Sequence, residues 1–203
     1  MTGWSETTFV FISTNQQHSD GGVEDRWLPV MRELKAQGAT VRFLCLMGSP
    51  VGERARAEGI GVDPYILDKW NLWRSRSRLR KYLIRYHPIC VHSTGLEADL
   101  LLRAAVPFLP GTHICTTIPC TPQCSRRRGF IDAIMRRFDE RKICLSSAVF
   151  VECHEVAEEV RAAGVPERAI VMDPPADTPD DQRDSVERHI QVYMPFIAGR
   201  RRR

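Results

Sequence analysis

The sequence predicts a three-layer α/β sandwich built on a mostly parallel sheet, and two patterns carry that expectation. Short runs rich in β-branched and aromatic residues alternate with longer stretches whose apolar residues recur at helical spacing, and glycine or proline punctuates many junctions. Strands separated by whole helices pair in parallel through right-handed crossovers, which puts helices on both faces of one sheet. With 203 residues, 43% of them hydrophobic, the chain has material for one well-buried core.

The elements follow in order. Thr8–Ser13 (TFVFIS) reads as a buried strand, and from Val23 the apolar residues Val23, Trp27, Val30, Met31 and Leu34 keep one helical stripe that Gly38 stops. Thr40–Met47 is the second strand, Val51–Glu58 a short helix ended by Gly59, and Val62–Leu67 a short third strand. Leu72–Tyr86 is a longer helix, Ile89–Thr94 the fourth strand, Leu96–Ala105 a helix and Thr112–Thr117 the fifth strand. Beyond a loop rich in proline and arginine, the pattern gives a helix over Phe130–Leu145 and a sixth strand at Ala148–Glu152. A helix at Glu155–Ala163 and a seventh strand at Ala169–Asp173 close the series. A single domain is therefore expected over residues 1–177. Residues 174–183 have the composition of an acidic linker, and "SVERHIQVYMPFI" has helical spacing ahead of a basic tail ending in four arginines.

Charge and cysteine usage narrow the function classes. A net charge of +4 is too small to mark a nucleic-acid binder. No apolar run is long enough to span a bilayer, and the first residues lack the features of a signal peptide, so a cytoplasmic protein is expected. Of the seven cysteines, Cys45, Cys90, Cys115 and Cys144 lie among apolar neighbours as reduced core thiols do, which argues against a disulfide framework.

Ligands of such sheets bind beyond the carboxyl ends of the strands, and that edge is where candidate residues collect. Gly21 and Gly22 sit between the first strand and the first helix. They lack the three-glycine spacing of a dinucleotide fingerprint and the Gly-Lys-Ser/Thr ending of a P-loop. Two readings remain: a plain turn in which Asp20 caps the helix, or a bare backbone at a helix N-terminus where an anion can approach. Glu24 lies one turn in. His92 and His154 stand near the ends of the fourth and sixth strands, yet neither has a spacing that couples it to a nucleophile. Glu97, Asp99, Glu152 and Glu155 form no recognisable acid/base pair, so no catalytic residue is assigned. Cys115, Cys120 and Cys124 are spaced C-x4-C-x3-C without the paired knuckles of a structural zinc site, and no metal is expected. Arg74, Arg76, Arg78, Arg80, Lys81 and Arg85 crowd one helix, and Arg126–Arg128, Arg136, Arg137, Arg141 and Lys142 another. They form either solvated faces or surfaces for an anionic membrane or a phosphorylated acceptor.

Taken in order, these segments resemble the N-terminal, acceptor-side domain of GT-B glycosyltransferases, in particular glycosyltransferase family 4. The first strand with its Gly-Gly turn and Glu24, "VHSTG" at a strand end, "TT" closing the next strand and "LSSAVFVECHEVAEEVRAAGVPERAIVMDPPAD" carry the resemblance across residues 7–177. It implies a Rossmann-like fold and a nucleotide-sugar donor whose phosphates or sugar approach Gly21 and Gly22 across a cleft. Glu24, His92, Thr117 and His154 would join them in binding substrate, and no cofactor is expected. The family often has a histidine in a T-x-H triplet after the fifth strand. Here the triplet is Thr117-Ile118-Pro119, and proline can neither donate a proton nor hydrogen-bond through its nitrogen. The stretch after Asp173 is also too short for the family's C-terminal donor-binding domain.

The resemblance thus implies the acceptor-binding half of a hexosyltransferase, inactive alone and completed by a donor-binding domain on a separate chain. A lipid-linked or small-molecule acceptor is expected, with no nucleic acid. The alternative is a non-catalytic binding or regulatory module derived from such an enzyme, held peripherally at the anionic inner face of a membrane. In GT-B enzymes the last helix often crosses back onto the N-terminal domain, and "SVERHIQVY" resembles such a helix.

Overall fold

The computed structural model describes residues 4–14, 23–65, 72–105, 109–120, 142–176 and 178–200. Its strands are β1 (Thr8–Ser13), β2 (Thr40–Cys45), β3 (Gly61–Pro64), β4 (Cys90–Thr94), β5 (His113–Ile118), β6 (Ala148–Val151) and β7 (Ile170–Met172). Among the described residues the helices are α1 (Val23–Ala36), α2 (Pro50–Ala57), α3 (Leu72–Tyr86), α4 (Leu96–Ala105), α5 (His154–Ala162) and α6 (Pro179–Arg200). The strands form one sheet in the order β3-β2-β1-β4-β5-β6-β7, with every neighbouring pair parallel. The three-layer α/β fold expected from the alternation is the fold observed.

Strand parity sorts the core into two sides, because successive side chains point to opposite faces of a sheet. Phe9, Phe11, Phe43, Cys90, Cys115 and Phe150 face the layer made by α1, α2 and α6. Val10, Ile12, Leu44, Val91 and Ile114 face α3 and α4, while Val149 and Val151 meet α5. The α1 stripe is buried as its spacing demands: Trp27, Val30, Met31 and Leu34 are all at most 1% exposed. Gly38 ends that helix region at φ +93°, a left-handed conformation that costs a residue with a Cβ. Gly52 in α2 serves packing instead, since a Cβ there would stand 2.6 Å from the Cys45 sulfur.

Three expectations need correction. The acidic stretch read as linker over residues 174–183 already contains the start of α6. Pro179 occupies the first turn, where its missing N–H costs nothing, the Thr178 hydroxyl accepts from the Asp181 N–H at 3.1 Å, and the Asp181 carboxylate accepts from the Thr178 N–H at 3.0 Å. Cys144 is exposed rather than buried, because Ile143–Leu145 is a 3₁₀ turn that presents it outward. Cys120 and Cys153 form a disulfide despite the reduced pattern of the other cysteines. The rest of the helix expected at Phe130–Leu145, up to residue 141, lies outside the described residues.

Helix α6 docks on the main sheet beside α1. Tyr193 is fully buried with its ring 5.2 Å from Phe9, His189 stacks on Phe150 at 4.1 Å, and Phe196 stacks on His113 at 4.1 Å. Burying a side chain of this size stabilises by about 1.5–3 kcal/mol, so α6 is an integral layer of the fold. Among the described residues no helix is long and apolar enough to cross a membrane.

Candidate functional site

The chain builds from β1 outward to β2 and β3, then returns to place β4 on the other side of β1. Helix α1 leaves one face after β1 and α4 leaves the opposite face after β4, so the β1/β4 junction is the topological switch point, where open α/β sheets bind ligands. Polar residues end both strands. The Ser13 hydroxyl donates to the Glu24 carboxylate, which ties the first turn of α1 to the end of β1, and both groups are buried. The Thr14 N–H donates to the Thr94 carbonyl at 3.4 Å, and the Thr94 hydroxyl donates to the Thr117 carbonyl at 3.1 Å. The Thr14 hydroxyl itself is buried and has no hydrogen-bond partner among the described residues. A buried hydroxyl left so is a cost that a ligand or water would remove.

His92 and Thr117 come together as a pair, one layer behind this junction. His92 Nε2 is 2.8 Å from the Thr117 hydroxyl and Nδ1 is 2.5 Å from the Tyr193 hydroxyl. The imidazole is 1% exposed and enclosed by Trp27, Phe11, Phe150 and His189, with ring centroids 4.9–5.7 Å away. Burial, and then the neighbouring His189, push the His92 pKa well below the usual imidazole range. A neutral ring carries one donor and one acceptor, and two hydroxyls can complement either tautomer. His92 therefore sits under α6 and does not open onto the strand-end edge.

The β5–β6 side of the same edge is charged. Arg26, in the first turn of α1, donates to the Glu152 carboxylate and to the Asp173 carbonyl, the latter at 3.1 Å. The other Glu152 oxygen accepts from the Cys120 N–H at 2.7 Å, and Arg188 of α6 stands 3.3 Å from the Asp173 carboxylate. Burial lowers the Arg26 pKa, opposed by the Asp173 and Glu24 charges. This cluster joins α1, the ends of β5, β6 and β7, and α6, so it fixes the rim on which a ligand would rest. His154 and Glu155 begin α5 and are both exposed, and Cys153 is its N-cap. His154 is thus on the rim, separate from the Glu24 and His92–Thr117 groups. A cleft of about 280 Å³ opens on this edge beyond β2, lined by Cys45, Met47, Ser49, Gly52, Arg56 and Pro64.

Gly21 and Gly22 lie outside the described residues, between Thr14 and Val23. Sequence reasoning missed Thr14, Arg26 and Asp173. It saw Glu152 and set it aside for want of a second carboxylate, whereas its partner is a cation 126 residues away. A charged residue directly following an apolar strand was the available signal, since such a charge needs a partner when the fold covers it.

Known proteins place this geometry. Among curated proteins none matches the sequence. The fold is shared with a glycosyltransferase from Rickettsia africae (TM-score 0.57, 16% identity, covering 91% of this chain and 49% of that one). It is shared also with Acinetobacter baumannii MurG (TM-score 0.54, 12% identity, 85% and 47%) and with Anabaena HepE in complex with UDP-glucose (TM-score 0.58, 9% identity, 82% and 44%). The chain spans about half the length of these GT-B structures. A sequence profile matches over residues 21–176, and on that match the chain belongs to the glycosyl transferase 4-like domain family.

Proposed function

We propose that this chain is the acceptor-binding half of a sugar transferase that takes a nucleotide-sugar donor, with the donor-binding domain supplied by a separate chain. The observation that carries this reading is the β1/β4 switch point, where the Thr14 hydroxyl is buried without a described partner beside the first turn of α1. Support comes also from the structural relatives, one of which is described in complex with UDP-glucose and another, a UDP-GlcNAc 2-epimerase from Neisseria meningitidis, bound to UDP-GlcNAc. In this reading Gly21 and Gly22 face the donor's phosphates or sugar, and Glu24 holds the α1 end of the junction. His154 contacts the acceptor from the rim, while His92 and Thr117 position the ends of β4 and β5 from behind. A single wall of this kind excludes water only when a second domain closes on it, so transfer needs both halves.

In this reading the acceptor is lipid-linked and the protein works peripherally at the cytoplasmic face of a membrane, and the surface of α3 supports that version. Trp73 is 76% exposed and Ile84 42% exposed on that helix, among the exposed cations Arg74, Arg78, Arg80, Lys81 and Arg85. An apolar anchor ringed by cations is the arrangement that anionic bilayers attract. The deciding assay measures transfer from UDP-glucose and UDP-GlcNAc to lipid-linked and soluble acceptors, using this chain alone and mixed with a donor-domain chain. Transfer in the mixture only is the expected result, and no transfer in either arm overturns the proposal. Vesicle sedimentation reads the membrane part separately: binding to anionic vesicles falls when Trp73 and the α3 arginines are replaced.

A further inference from the structure

Cys120 and Cys153 bridge the ends of β5 and β6 with Cα atoms 5.8 Å apart, although 33 positions separate them in sequence. That separation is within the range a disulfide spans. Cys120 is exposed and Cys153 half-buried, so the bond is open to a reagent from solvent. A second cysteine pair gives the contrast. The Cys90 and Cys115 sulfurs are 3.5 Å apart but sealed in the core, where burial holds the Cys90 thiol protonated and unreactive.

We propose that Cys120 and Cys153 form a reversible thiol–disulfide exchange site on the rim of the strand-end edge, with a dithiol as the reducing partner. Cys153 is the N-cap of α5 and makes no side-chain capping bond, so the positive end of the helix stabilises its thiolate as it leaves. The Glu155 carboxylate, with an oxygen within 4.8 Å of both sulfurs, opposes part of that effect. A thiolate of the dithiol attacks the exposed Cys120 sulfur, forming a mixed disulfide and expelling Cys153, which takes up a proton. The second thiol then displaces Cys120, which is protonated in turn. Two electrons and two protons have passed to the protein, and the reductant departs as its own disulfide.

Opening the bond acts on the rim through Glu152. Its two oxygens hold the Cys120 N–H and the Arg26 guanidinium, so the covalent tie at Cys120–Cys153 clamps the residue that links β5 to the first turn of α1. This exchange rests on no property of a sugar donor or acceptor, and its test reads none.

The full chain is equilibrated across ratios of reduced to oxidised dithiothreitol, quenched in acid, alkylated and mapped by peptide mass, with hydrogen–deuterium exchange measured on the two end states. The expected result is one two-electron transition confined to Cys120 and Cys153, with unchanged circular dichroism. Protection should fall by about tenfold at Ile118 and Cys120, at 152–155 and at the amides of Trp27 and Leu28 in α1. Cys153→Ser should be locked in the open-state exchange pattern, and Cys144→Ser should leave the transition in place. Reduced wild-type protein gives the same readout should Cys153→Ser fail to fold. A bond to Cys124 instead, reduction only on global unfolding, or unchanged exchange in α1 would overturn the proposal. So would Zn²⁺ shielding the reduced pair from alkylation, since Cys120, Cys153 and Glu155 would then be metal ligands.

Discussion

His92 within β4 and Glu152 just after β6 both lie toward the carboxyl side of the sheet, and the fold treats them in opposite ways. His92 is closed in by aromatic rings and by Tyr193 of α6, is held neutral, and hydrogen-bonds only within the core as described. Glu152, at the rim, is held by the Arg26 guanidinium and the Cys120 N–H instead. The difference lies in what covers each strand end. Helix α6 lays apolar and aromatic groups over β1, β4 and β6, whereas the first turn of α1 brings a cation to the ends of β6 and β7. Whether a polar residue on the carboxyl side of an α/β sheet can meet a ligand therefore depends on what the covering helix lays over it.

Removing the cover is the strongest way to break this contrast. Tyr193→Ala leaves a cavity among Phe9, His92 and His189 and should destabilise the fold by about 3–5 kcal/mol in denaturant melts. Glu152→Gln attacks the charged side. It weakens a charge-assisted bond to a half-closed arginine and should cost about 1.5–3 kcal/mol, with increased exchange at Cys120. If the two variants cost the same and disturb the same amides, the two regions are one cooperative unit and the distinction fails.

Acid separates them at lower amplitude. Both His92 and His189 have pKa values pushed below the ordinary 6.5 by burial. Below that value the unfolded chain binds more protons than the folded one, so stability is intact above about pH 6.5 and declines as pH falls through the window beneath it. His92, whose pKa lies well below 6.5, should contribute a slope that rises from about half of 1.4 kcal/mol per pH unit near pH 6.5 towards that value as pH falls, and His189 adds to it in the same direction. In urea melts between about pH 6.5 and 5.5, His92→Gln should lose its share of that slope. An unchanged slope would mean that His92 is not held neutral.

Much of this fold was legible in the sequence because periodicity is a local signal. Thr8–Ser13, Leu72–Tyr86 and Leu96–Ala105 run between the same residues as their hydrophobic patterns suggest. The rim was not legible, for a physical reason: its bonds join residues far apart in the chain and adjacent only once β5, β6 and β7 are side by side. Arg26 meets Asp173 across 147 positions, and Cys120 meets Cys153 across 33 positions whose local patterns suggest a loop, a helix and a strand but not the pairing of the two ends. The start of α6 was misread because threonine, proline and aspartate serve linkers and helix N-termini equally. Only the reciprocal Thr178–Asp181 bonding distinguishes them.

The gentlest test bears on the junction between the two regions. Thr14→Val replaces a buried hydroxyl that has no partner among the described residues by a methyl group of nearly the same shape. Because no bond among the described residues is lost and a desolvated polar atom is removed, stability should change by less than about 0.5 kcal/mol. Binding of UDP-glucose or of an acceptor at the switch point should nevertheless fall by about five- to tenfold, the value of one hydrogen bond of about 1 kcal/mol or slightly more. Calorimetric titration beside a urea melt separates the two quantities. A loss of more than about 1 kcal/mol in stability with ligand binding unchanged would make Thr14 a structural hydroxyl. The open half of the sheet edge would then be as closed as the half beneath α6.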